Sequence, residues 1–166
     1  MENLELPRKY QTILVPSSTL QLITELEAVE RVMKRLYAHL LSGGILVASL
    51  MTLWKEGESL ESEWEQTAVR KADGVTFRRV VRSWFNPISE CESTEDLYQK
   101  MIDEKVVIEE LYKRSPATRS YSQSQVKDLF EKAGFQNVQL FSGFTFDMIK
   151  PEDRLFVVME QKLSPA

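Results

Sequence analysis

Arg78, Arg82 and Trp84 are the residues best suited to hold a charged or planar molecule, because they alternate onto one face of residues 75–85 read as a strand. An Arg–aromatic face can grip a carboxylate or stack on a flat acceptor. Glu56, Glu58, Glu61, Glu63 and Glu65 precede it, so the face equally reads as a solvated strand paired with that acidic run. Pro16, Ser17 and Ser18 end the first apolar run, with Gln21 one turn on. Ligands of open α/β sheets gather at such carboxyl ends. The two serines would also serve a plain loop by bonding local backbone groups. Met51 and Trp54 close the second apolar run and suit the apolar wall of a small-molecule pocket, or core packing.

What is missing narrows the chemistry. The chain has one His39 and one Cys91, which argues against a protein-only zinc site and leaves the thiol without a neighbouring base. Cys91 cannot pair within the chain and fits a reducing, cytoplasmic setting. His39 sits where a helix C-terminus favours partial positive charge, which accounts for it without a catalytic role. None of the six glycines forms G-x-G, so neither common glycine-rich nucleotide loop is present. The 166 residues carry 21 Lys+Arg against 25 Asp+Glu, a net charge of −4, and the basic stretch has its own counter-charges. Nucleic acid is therefore not the expected partner. No apolar run reaches the roughly 18 residues of a membrane helix, and the first residues hold no signal-like apolar stretch.

The elements that must position these residues have a clear grammar. Residues 12–15 read as a short buried strand stopped by Pro16. A helix follows, with Thr24 as N-cap and Glu27 at capping-box spacing. Its stripe is Leu26, Val29, Met33, Leu36 and Leu40, and Gly43 and Gly44 end it. Residues 45–51 are continuously apolar, as in a strand covered on both faces. Together these make a βαβ unit with parallel strands. Near the far end Ser122 and Gln125 have capping-box spacing, Val126, Leu129, Phe130 and Ala133 form a stripe, and Gly134 stops the helix. Strands over 138–141 and 155–159 follow, joined through a turn at residues 151–153 as an antiparallel pair. Between the ends, residues 64–71 and 75–85 read as a hairpin turned at Asp73-Gly74. Residues 97–112 fit either a second hairpin about residues 103–105 or an amphipathic helix.

Several of these segments resemble class I S-adenosylmethionine-dependent methyltransferases. Residues 6–18 resemble the entry into that family's fourth strand. The run from His39 to Val47, with Ser42-Gly43-Gly44, resembles its L-x-P-G-G-x-L entry into strand five. Residues 121–135, ending Ala133-Gly134-Phe135, resemble its late helix, and Phe156 to Met159 its antiparallel last strand. Ser42 stands where the family usually has Pro, and Gln11 where an Asp commonly precedes the strand. The family's Gly-rich cofactor loop and ribose-binding acid lie in a half that would precede Met1.

The resemblance therefore implies a partial Rossmann-like α/β core (residues 1–54 and 121–166) with an inserted antiparallel β lid (residues 55–120). It implies S-adenosylmethionine as cofactor, with Pro16, Ser17, Ser18 and Gln21 on its edge. Met51, Trp54, Arg78, Arg82 and Trp84 would face a small-molecule acceptor. The isolated chain is expected to lack the main cofactor site and to be inactive. An uncovered first strand is expected to be capped by a second copy or by the missing N-terminal half in trans.

Overall fold

The computed structural model describes residues 3–163. Its eight strands and two helices are β1 (Tyr10–Val15), α1 (Leu26–Ala38), β2 (Leu40–Met51), β3 (Glu61–Val69), β4 (Thr76–Asn86), β5 (Cys91–Ile102), β6 (Lys105–Arg119), α2 (Gln123–Ala133), β7 (Leu140–Ser142) and β8 (Leu155–Gln161). They form two compact units, Met1–Leu53 with Arg119–Ala166, and Trp54–Thr118.

The first unit holds a four-stranded sheet in the order β1-β2-β8-β7. β1 and β2 are parallel, with Ile13 opposite Leu46 and Val15 opposite Ala48, and α1 joins them as the expected βαβ unit. β8 runs antiparallel between β2 and β7. One face of this sheet, including Val15, Leu46, Leu50, Phe156 and Val158, packs on Val29, Met33, Leu36, Val126 and Phe130 of the two helices. The helices touch each other across that core. The opposite face is less covered than the apolar run of residues 45–51 suggests: Leu14 is 66% exposed and Met159 37%.

Two boundaries differ from the sequence reading for identifiable reasons. α1 starts after Glu25, which makes no side-chain cap bond, so Thr24 is not its N-cap. α1 ends at Ala38, not at the glycines. His39 caps it, and Lys162 donates to the carbonyls of Tyr37 (2.9 Å) and Leu40 (3.2 Å) while sitting over the Tyr37 ring. Burial lowers the pKa of that ammonium. Gly43 and Gly44 instead lie within β2, where the pairing with β1 shifts from Tyr10–Leu40 to Thr12–Ile45. Gly43 has φ +73°, and a Cβ on Gly44 would meet the carbonyl oxygens of Leu41, Gln11 and Tyr10 at 2.9–3.1 Å. The Gln11 amide donates to the Gly43 carbonyl at 3.1 Å, which uses the position where the resemblance puts an acid. By contrast, the α2 capping box forms in full between Ser122 and Gln125, and Gly134 closes the helix at φ +111°.

The second unit is one antiparallel sheet, β3-β4-β5-β6. Residues 97–112 lie on two strands, which excludes the helical alternative, and Asp103 and Glu104 turn between them with positive φ. The β3–β4 hairpin turns at Asp73-Gly74 as the sequence suggests, where Arg70 donates to Asp73 through Nε at 2.9 Å and Nη2 at 2.6 Å.

Candidate functional site

At the carboxyl ends of β1 and β2 the structure brings together Pro16, Ser17, Ser18, Gln21 and Met51. Thr19 N–H donates to the Pro16 carbonyl at 3.2 Å, closing a turn whose central residues Ser17 and Ser18 both have φ near +55°. That is type I′ geometry, which favours Asn-Gly because a Cβ is strained there. The strain sits where α/β sheets hold ligands.

Beyond the last β1–β2 pair, side chains take over as ladder partners for β2. Ser18 N–H donates to Ser49 Oγ at 3.2 Å. Gln21 is fully buried, and its amide accepts from Met51 N–H at 2.8 Å and donates to the Met51 carbonyl at 2.9 Å. It also donates to the Arg119 carbonyl at 2.6 Å. Gln21 thus acts as an extra rung between the end of β2 and the returning chain.

In the second unit, Arg78 donates to Glu65 at 2.6 Å and to Gln99 at 3.3 Å, and Arg82 donates to Glu63 at 2.6 Å. These bonds raise both guanidinium pKa values and lower that of Glu65. The acidic run does supply counter-charges to this face. Arg82 and Trp84 still share a cavity of about 410 Å³ with Ser59, Ser62 and Ser83. Trp54 stacks on Phe85 at 5.4 Å and donates its indole N–H to the Glu58 carbonyl.

The residue that sequence reading passed over is Arg79, on the opposite face of β4. Its guanidinium lies 5.0 Å from the Trp64 ring and 5.4 Å from the Tyr98 ring, and it donates to Asp96 through Nε at 2.8 Å and through Nη2. In sequence it merely interrupts an apolar alternation. Only the pairing of β3, β4 and β5 brings its partners to it.

These residues do not by themselves fit a whole S-adenosylmethionine. The Gln21 amide and the Ser18 N–H are committed, which leaves an exposed turn with the Ser17 hydroxyl. Neither Gly43 nor Gly44, bound up in the β2 bulge, offers backbone at that end of the sheet. Among the described residues no group of three or more His, Cys, Asp or Glu could hold a metal ion. No helix among them is long and apolar enough to cross a membrane.

The sheet order and the turn after β1 define a partial Rossmann-like α/β core in the first unit, and the second unit is an antiparallel sheet. No protein-family model matches the chain, and no curated protein matches it in sequence. Solved structures do match. An S-adenosylmethionine-dependent methyltransferase from Clostridium acetobutylicum is 13% identical over 98% of this chain and 62% of its own, with TM-score 0.73. A methyltransferase from Streptomyces caelestis is 14% identical over 96% and 64%, with TM-score 0.74. The S-adenosylmethionine-bound amino pentose methyltransferase of calicheamicin biosynthesis from Micromonospora echinaspora is 14% identical over 97% and 61%, with TM-score 0.66. The chain therefore has a partial class I methyltransferase fold, and it spans about three-fifths of the length of these structures.

Proposed function

We propose that this chain serves methyl transfer from S-adenosylmethionine to a small-molecule acceptor, as the part of the fold that follows the main cofactor loop. One observation carries the reading: a fold match that nearly exhausts this chain but stops at about three-fifths of each methyltransferase. In this reading Pro16, Ser17 and Ser18 line one edge of the cofactor, and Gln21 holds their turn against β2. For the acceptor, Met51 is the candidate within the first unit, and Trp54, Arg78, Arg82 and Trp84 are the candidates within the second, each unit taken by itself. A further polypeptide segment supplies the Gly-rich loop, so the 166-residue chain alone is inactive. The unpaired Cys91 accords with a cytoplasmic setting.

A second reading is favoured by the edge of β1, which among the described residues pairs with β2 alone, and by the exposed Leu14 on it. Such an edge templates association. The chain would then be a non-catalytic module that pairs with a second copy or a partner subunit.

Calorimetric titration of the purified chain with S-adenosylmethionine separates the claims. The expected result is no binding in the micromolar range. A clean one-to-one micromolar titration overturns the need for an added segment. Reading the DNA upstream of Met1 in all frames then tests for a strand, a Gly-rich loop and a later acidic residue. Their absence, together with a stable dimer that binds no cofactor, overturns the catalytic reading in favour of the second.

A further inference from the structure

His39, the only histidine of the chain, is bonded through both ring nitrogens. On one side Nδ1 lies 2.8 Å from the Arg35 carbonyl oxygen, which can only accept. On the other, Nε2 lies 3.0 Å from the backbone nitrogen of Leu6, whose N–H can only donate. These partners leave one arrangement of the ring proton. Nδ1 carries it and donates to Arg35, while Nε2 is bare and accepts from Leu6. The ring is neutral in this arrangement.

The Leu6 bond fastens a strap. Residues 3–9 run ahead of β1 without regular secondary structure. Leu4 packs against the core of the first unit, and its carbonyl accepts from Arg35 Nη1 at 3.1 Å. At the start of β1 the Tyr10 N–H donates to the His39 carbonyl at 2.8 Å. The end of α1 thus holds the strap and its exit at three points. A guanidinium stays charged and a backbone bond does not titrate, so of the three only the His39 ring changes charge near neutral pH.

The surroundings offer a protonated ring no substitute. An imidazolium bears hydrogens on both nitrogens and can accept at neither, so Nε2–H would face the Leu6 N–H. The charged side chains on the segments that meet His39 are mostly cationic: Lys34 and Arg35 on α1, Arg8 and Lys9 in the strap, and Lys162 just beyond β8, on the Tyr37 and Leu40 carbonyls. β1 adds the Tyr10 phenol, and β2 has no ionisable residue up to Gly44. The one carboxylate among them, Glu5, is exposed and makes no bond to the ring.

We propose that His39 is a pH-operated latch on this strap, closed by the neutral Nδ1–H ring and opened when Nε2 takes up a proton and Leu6 N–H loses its acceptor. The latch is complete at alkaline pH and fails as pH falls and the ring becomes charged. Release stops at Tyr10, whose bond to the His39 carbonyl does not titrate. The device lies in the first unit alone and stands independently of methyl transfer.

The test is NMR of the whole chain at about pH 8 and about pH 5.5, either side of the usual imidazole titration. Long-range proton–nitrogen correlations of the ring are unambiguous with a single histidine, and at the higher pH they should show the Nδ1–H tautomer. On acidification the solvent-exchange protection of the Leu6 amide, corrected for the intrinsic pH dependence, should fall about tenfold, the worth of one hydrogen bond whose acceptor has become a donor. The Tyr10 amide should keep its protection. A Gln amide sets an acceptor near the Nε2 position, whereas an Asn amide reaches only the Nδ1 position. His39→Gln should therefore keep Leu6 protected at both pH values, and His39→Asn should lose that protection at both, with dichroism at 222 nm confirming that α1 is intact. An Nε2–H tautomer at the higher pH overturns the proposal, and that reading needs no variant. So does unchanged Leu6 protection while the ring titrates, or a loss in His39→Gln as large as in the parent. Glu5 and the buried Glu160 are both present in His39→Gln, so that comparison separates the ring from the carboxylates.

Discussion

Replacing Gln21 by Leu tests whether this residue is a structural rung or a ligand-binding group. The Leu side chain has similar bulk but makes none of the three amide bonds to Met51 and Arg119. Each such bond is worth about 1 kcal/mol net, and more where the partner left behind is shielded from water. Gln21 is fully buried and Met51 half-buried, so a loss of about 3–4 kcal/mol is set against about 1 kcal/mol regained by burying an apolar chain. The net expectation is about 2–3 kcal/mol, a large share of the stability of an ordinary domain. For a urea slope of about 2 kcal/mol/M the midpoint falls by roughly 1–1.5 M. The assay follows from the anatomy. Both helices lie in the first unit, so circular dichroism at 222 nm reports it, while Trp54, Trp64 and Trp84 are all in the second and report that by fluorescence. The dichroism midpoint should drop. Gln21→Glu should drop it further at neutral pH, because a carboxylate can accept from Met51 N–H but has no proton for the two carbonyls. A Leu variant within about 0.5 kcal/mol of the parent, the range of an ordinary surface change, refutes the rung and returns Gln21 to the ligand-binding candidates.

Three other changes are equally direct. Ser17→Asn combined with Ser18→Gly relieves two left-handed non-glycine residues and should stabilise the first unit by about 1–2 kcal/mol in urea melts; no gain would mean the turn is not strained. Gly44→Ala drives a methyl group into three backbone oxygens and should cost about 2 kcal/mol, whereas Gly57→Ala, with nothing within 4 Å but φ +90°, should cost less, only its backbone strain; the reverse order would place the β1–β2 bulge wrongly. Burial raises the pKa of Glu160 above 4.5, while its bond from Gln139 N–H opposes that rise. The folded chain then holds more protons than the unfolded chain above pH 4.5, so this residue's contribution to stability falls as pH rises through the folded-state value. Glu160→Gln keeps an acceptor for Gln139 and should raise the melting temperature at pH 7 more than at pH 4; an equal shift at both pH values would count against a buried carboxylate.

The parts of the fold legible in the sequence are those whose determinants are local. Ser122, Gln125 and Gly134 specify both ends of α2 within one short segment, and the structure closes each bond they imply. The turn at Asp73-Gly74 is local in the same sense. The C-terminus of α1 is not, because its carbonyls are satisfied by Lys162 from the far end of the chain, which freed Gly43 and Gly44 for a bulge. Residues 97–112 were ambiguous because Leu97, Met101, Lys105 and Ile108 happen to fall at helical spacing. Pairing of β5 with β4 decides the matter, and no window on residues 97–112 alone contains β4. Arg79 was invisible for that reason too: its rings and its carboxylate come from neighbouring strands.

The exposure pattern of the first unit bears on the proposed added segment by a route other than length. A parallel strand pair is ordinarily covered on both faces by the helices of its crossovers. Here the helix-facing residues Val15, Leu46, Leu50 and Phe156 are buried. On the other side Leu14 stands 66% exposed on a strand with one partner among the described residues, and Met159 is 37% exposed. One face is buried as a core, and the other is open at Leu14 and Met159, although Ser49 on it is buried. An edge strand left open to solvent ordinarily carries charge on its edge and outer face. In β1, Leu14 occupies the outer face and no Lys, Arg, Asp or Glu lies between Tyr10 and Val15. The strained Ser17–Ser18 turn lies at the carboxyl end of that same strand. In the proposed reading, a segment that paired with the edge of β1 would also lie next to the turn, so the apolar edge and the candidate cofactor edge would be tested by the same partner.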